Sequence, residues 1–182
     1  MVRDSLAPGL AVVFVGFNPS PASSAAGFPY AHPSNRFYRL LHAAGLTPVV
    51  HPPSANFDML HLYGYGFTNI VARTTRRAGD LTATDYARGR VVLHRKLQTF
   101  APAIACFVGK GVYLAWSGRR RCDVGFVTDP AIAGVREFVA PGTSGLVRMA
   151  FADQVAAYQV LAQAVDELRR AGYRPPLAGG PG

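Results

Sequence analysis

Leu10-Ala11-Val12-Val13-Phe14-Val15-Gly16-Phe17-Asn18-Pro19-Ser20 is the stretch that decides the fold. Residues 10–17 are a nearly unbroken apolar run, and Asn-Pro ends it. A short run without a polar face fits a strand buried on both sides, at the centre of a parallel sheet. In open α/β sheets, ligands sit in the loops at the C-terminal ends of such strands. Here that loop carries an asparagine at 18 and, farther on, a tyrosine at 30. One side chain hydrogen-bonds and the other stacks, so the pair suits a flat polar ligand.

Working outward, residues 20–34 are rich in Pro, Ser, Ala and Gly and read as a loop. Apolar positions 37, 40, 41 and 44 have helical spacing, and Gly45 fits the stop. A short helix is expected over 57–62 and a strand over 67–71. Thr82-Ala83-Thr84-Asp85 has the form of a capping box, opening a helix to about residue 99. Strands follow at 103–108, 124–128 and 137–139, with a short helix from 112 to 116. A long amphipathic helix covers 151–171, and residues 175–182 form a Pro/Gly tail expected to be disordered. Alternating strands and helices with short connections imply an α/β fold, a three-layer α/β/α sandwich with a mostly parallel central sheet.

The 182 residues are long enough to bury one full core, and one domain is expected over 1–174. Nineteen Lys and Arg against ten Asp and Glu give a net charge of +9. Only Lys96 and Lys110 are lysines; the other cations are arginines, which suit bidentate phosphate contacts. This balance favours a polyanionic partner. Arg codon preference in a GC-rich genome accounts for part of the Arg/Lys ratio but not for the scarcity of acids. Cys106 sits in an apolar run and reads as a core residue; Cys122 is the only other thiol. Two thiols cannot supply the usual four ligands of an iron–sulfur cluster. The histidines show no metal spacing, and no cofactor is implied. No signal peptide and no run near 18 apolar residues is found. The expected location is the cytoplasm, in association with the nucleoid.

GFNPS at 16–20, followed by GFPYAHPSNRF at 27–37, resembles the first active-site motif of the mismatch-specific uracil / thymine-DNA glycosylases. The resemblance continues through GYGFTNIVARTT at 64–75, ACFVGK at 105–110 and PGTSGL at 141–146, and so covers most of residues 6–170. It implies a monofunctional glycosylase that flips uracil out of duplex DNA and hydrolyses its N-glycosidic bond, notably in G:U mismatches. No lysine or N-terminal amine is placed by motif to form a Schiff base. Implied partners are double-stranded DNA and no membrane, with the protein acting as a monomer.

By this resemblance the side-chain carbonyl of Asn18 orients the attacking water. An amide cannot usefully accept a proton near neutral pH, so Asn18 positions rather than deprotonates. Tyr30 is the stacking face for the flipped base. Gly16 and Phe17 contribute backbone to the pocket floor beside Pro19, and Ser23 resembles a pocket serine that donates to a base oxygen. Ser20 is small where bulk would reject a 5-methyl group, which leaves thymine, 5-substituted uracils and etheno-cytosine within range. The loop at Ser144-Gly145-Leu146 resembles the second motif, with Leu146 as a wedge filling the hole in the stack. Relatives begin this motif Asn-Pro-Ser or Pro-Ser-Ser; this chain has Gly142-Thr143-Ser144. Arg148 and Lys110 are candidate phosphate contacts, as are the clusters Arg73, Arg76, Arg77 and Arg119, Arg120, Arg121. His32 is expected to fix its loop. Asp85 reads as a helix cap, and Asp80 or Asp85 is the acid to test for help in activating water. Two other readings compete: a DNA-binding module of this fold without useful catalysis, and a nucleotide-binding α/β protein. The second lacks GxGxxG and GxxxxGK[ST].

Overall fold

A computed structural model describes residues 2–176. Its strands are β1 (Val12–Gly16), β2 (Tyr65–Asn69), β3 (Ile104–Val108), β4 (Gly125–Phe126) and β5 (Arg136–Ala140). Its α-helices are α1 (Pro21–Ala26), α2 (Phe37–Ala43), α3 (Asn56–Tyr63), α4 (Ala83–Phe100), α5 (Lys110–Ser117) and α6 (Phe151–Arg170). The strands form one sheet in the order β2-β1-β3-β5-β4. The first four are parallel, and β4 runs antiparallel to β5. This is the expected α/β architecture.

Burial on both faces explains the apolar run at β1. Val12 and Phe14 face one core, with Leu40 and Leu41 of α2 and Tyr158, Leu161 and Val165 of α6. Val13 and Val15 face the other, with Leu93 and Leu97 of α4 and Val112 and Trp116 of α5. All four β1 side chains are fully buried. Each such residue contributes about 1.5–3 kcal/mol of transfer free energy. Cys106 of β3 is a core residue, as expected, and burial pushes its thiol pKa up.

Three expectations need correction. Residues 20–34 are not loop throughout, because Pro21–Ala26 is helical. Its cap signals are in the sequence. Ser20 accepts a hydrogen bond from the Ser23 N–H, Pro21 stands in the first turn, and Gly27 ends the helix at φ 81°. A helix of Pro, Ala and Ser has no apolar stripe, so periodicity cannot reveal it. β2 begins at Tyr65 rather than 67, directly after the left-handed Gly64 that ends α3. Pairing still reaches the expected end, since Ile70 and Val71 donate to the carbonyls of Gly16 and Phe17. β4 is only two residues long, with Val127 adding one bond to the Glu137 carbonyl. The capping box at Thr82 and Asp85 is present in both directions. Of the expected tail, residues 177–182 lie outside the described residues.

Candidate active site

The chain leaves β1 toward β2 on one side, and leaves β3 toward β5 on the other. The crevice between these two strand ends is the switch point where open α/β sheets bind ligands. A cavity of about 380 Å³ lies there. Its wall is built from Gly16–Ser20 after β1, Asn69 at the end of β2, Val108 and Gly109 after β3, and the loop after β5. Gly16, Phe17, Asn18, Pro19, Ser20, Ser23 and Tyr30 all line it, so every residue assigned to the pocket from sequence converges there. No carboxylate and no histidine lines it among the described residues.

The amide of Asn18 has a fixed orientation. Its Nδ2 donates to the Arg73 carbonyl and to Thr75 Oγ1, each at 2.8 Å. Thr75 Oγ1 spends its own proton on the Arg77 carbonyl at 2.7 Å. Both neighbours of the amide therefore act as acceptors, and only the NH₂ end can meet them. Oδ1 is left with no protein donor among the described residues. The amide can thus hold a water through its carbonyl without swivelling.

Ser23 is fixed in a complementary way. It is 4 % exposed. Its Oγ accepts from Ser20 Oγ at 3.1 Å and from the Ala31 N–H at 3.2 Å. With two donors already aimed at that oxygen, its own proton is available to an acceptor in the cavity.

Tyr30 has left-handed backbone, φ 54°, a conformation uncommon outside glycine. One ring face stacks on Phe37 at 4.0 Å between centroids and 17° between planes. A rigid aromatic platform at the cavity wall results. The Tyr30 hydroxyl is buried without a partner among the described residues, and burial holds its pKa well above the ordinary phenol value.

Two lining residues escape sequence reasoning. Asn69 is opposite Gly16 in the β1–β2 register. A Cβ at position 16 would come within 2.6 Å of Asn69 Oδ1, so the glycine lets that amide reach over the β1 terminus. Thr75 is the other. Both lie in the 64–75 stretch that carries the resemblance, but neither could be given a role there, because each role depends on which strand ends the sheet brings together.

The acids fall outside the cavity. The Arg73 guanidinium, then the N–H and hydroxyl of Thr82, hold the Asp85 carboxyl well below the usual carboxylate range. It stays ionised and fully engaged at neutral pH. Asp80 accepts from the Arg77 N–H. Neither lines the cavity.

At the rim, Leu146 is 91 % exposed, and Ser144, Gly145 and Arg148 are exposed beside it. Ser144 and Leu146 also line the cavity mouth, as do Arg76 and Arg77. Lys110 begins α5, half exposed and 3.9 Å from Asp123. Arg73 is committed to Asp85, and Arg119 to Asp129 and the face of Tyr113. Arg120 and Arg121 are exposed. His32 Nδ1 accepts from the Ser34 N–H within its own loop.

A family model described as the uracil DNA glycosylase superfamily matches residues 4–169. The chain belongs to that superfamily. As a member it is a DNA glycosylase acting on uracil or other damaged bases, and a hydrolase of N-glycosyl bonds. A DNA substrate agrees with the +9 charge and the arginines at the cavity mouth. Among the described residues, no helix is long and apolar enough to cross a membrane.

Proposed function

We propose that the chain is a mismatch-specific, monofunctional uracil-DNA glycosylase that excises uracil from G:U pairs and leaves an abasic site for base excision repair. The observation that carries this reading is the locked amide of Asn18, with its carbonyl free at the edge of a base-sized cavity walled by Tyr30.

In the proposed reaction the uracil nucleotide leaves the stack and enters the cavity. The base lies against Tyr30, and Ser23 donates to one of its oxygens. Asn69 offers an amide to the polar edge. The Asn18 carbonyl accepts a hydrogen bond from a water and holds it below the sugar. As the bond from C1′ to the base nitrogen breaks, the electron pair leaves with the base and C1′ gains oxocarbenium character. The water oxygen bonds to C1′, its proton passes to solvent, and the base anion is reprotonated. Donors at the base lower the barrier by stabilising its charge in a site with little water. No lysine lines the cavity among the described residues, in keeping with an unmodified abasic site as product.

Single-turnover release of free base from U:G, U:A, T:G and etheno-C:G duplexes and from single-stranded uracil tests the reading. The expected order places U:G first. Equal rates on U:G and U:A would remove the mismatch preference, and base release from none of them would leave a DNA-binding module.

Charge supplies a separate expectation. Affinity for undamaged duplex should fall steeply between low and physiological salt, because each phosphate contact releases counterions. Arg148→Glu should weaken binding to all sequences alike, since phosphate contacts carry no base information. Filter binding across a salt series checks both; a flat salt dependence contradicts the assignment.

A further inference from the structure

Residues 141–149 project beyond β5, and their attachment is unusually regular. Three successive carbonyls each accept one hydrogen bond from outside the loop. The buried Tyr158 hydroxyl donates to the Pro141 carbonyl at 3.0 Å. Gln154 Nε2 donates to the Gly142 carbonyl at 2.7 Å. The Arg36 N–H donates to the Thr143 carbonyl at 2.9 Å. The far end is held as well, because Arg36 NH1 donates to the Met149 carbonyl at 3.2 Å. The same NH1 donates to Gln154 Oε1 at 2.9 Å. Gln154 is completely buried. It therefore joins the two halves of the clamp, donating to the loop and accepting from the arginine that grips both ends.

Between the grips the loop is free of such ties. Leu146 donates its N–H only to Ser144 within the loop, and its side chain is almost fully exposed. At Gly145 the backbone lies so close to Ser34 that a Cβ would meet its Oγ at 2.6 Å. A buried amide with both ends engaged fixes geometry well, because leaving either partner unpaired carries a desolvation cost. An exposed leucine at the mouth of a base-sized cavity is useful only if its approach to DNA is fixed in advance.

We propose that Gln154 is a positioning residue for the 141–149 loop, setting the height and angle at which Leu146 meets duplex DNA. It does not itself line the cavity and is completely buried; it acts through the Gly142 carbonyl and Arg36. The proposal rests on the glycosylase reading above.

The test compares Gln154→Met, which keeps shape and loses both contacts, with Gln154→Glu. The glutamate keeps an acceptor for Arg36 and loses the donor to Gly142. Single-turnover excision is measured on a U:A duplex and on single-stranded uracil, beside a melting curve. Both variants should lower the duplex rate by roughly tenfold, the scale of one lost buried hydrogen bond. The single-strand rate should change less than twofold. Amide hydrogen exchange in residues 142–147 should quicken in both. A common fall on both substrates together with a lowered melting temperature overturns the proposal, as does an unchanged ratio. Wild-type duplex and single-strand rates in Gln154→Glu would transfer the role from Gly142 to Arg36 and also overturn it. Exchange is read without turnover. If the wild-type protein excises nothing, the glycosylase reading fails, while quickened exchange in the variants still tests the clamp.

Discussion

Asn18→Ala is expected to lower single-turnover uracil excision by about a hundredfold or more, the scale of a lost positioning group. Affinity for U:G duplex should change little, because the proposed phosphate contacts and the proposed stacking on Tyr30 do not use the Asn18 side chain. The basis is geometric. Arg73 and Thr75 consume both amide donors, and the carbonyl is the one polar atom of the Asn18 side chain left to hold water. Asn18→Asp should not restore the rate simply by being a base. A carboxylate has no N–H to give the Arg73 carbonyl, so it would be repelled from the seat the amide occupies. Wild-type excision should also be flat from about pH 6 to pH 9, since no carboxylate, histidine, cysteine or lysine lines the cavity among the described residues. Tyr30 is held protonated by burial, and Asp85 is held ionised by Arg73 and Thr82. A bell-shaped profile in that window, or normal excision by Asn18→Ala, would reject the positioning role and demand an acid–base pair elsewhere.

The second large effect concerns Leu146. Flipping a nucleotide costs a few kcal/mol of unpairing and unstacking, least at a mismatch. A side chain that refills the void matters most where the base was well paired. Leu146→Ala should therefore impair U:A excision by roughly tenfold or more, U:G excision less, and single-stranded uracil least. At 91 % exposure the leucine packs under nothing in the free protein, so the substitution should leave the melting temperature unchanged. Loss by one common factor on all three substrates, with lowered stability, would show a structural residue and reject the wedge.

The central strands and long helices were legible because their signals are local. The β1 run, the Thr82–Asp85 capping box and the 151–171 periodicity each lie within a few turns of chain. α1 was hidden for the opposite reason: its caps are plain, but its small residues carry no apolar period. Within the site, motif resemblance identified Asn18, Ser23 and Tyr30, which all line one cavity. It could not show how Asn18 is oriented. That depends on Arg73 and Thr75, more than fifty residues away in sequence and brought close only when β2 pairs with β1. Asn69, quoted only within the 64–75 resemblance, and Gln154 were given no role on the same ground. Each is an ordinary polar residue until the fold supplies its partners, Gly16 for the first and the Gly142 carbonyl for the second.

Hydrolytic excision is the central claim, and product analysis tests it most directly. A U:G duplex, labelled in the uracil ring and at one strand end, is incubated with excess protein and separated without alkali. Release of free uracil is expected in a single exponential phase, with the labelled strand intact until alkali cleaves it at the abasic site. Duplex retained by the protein with its uracil still attached would contradict hydrolysis, and strand cleavage before alkali would contradict monofunctional chemistry.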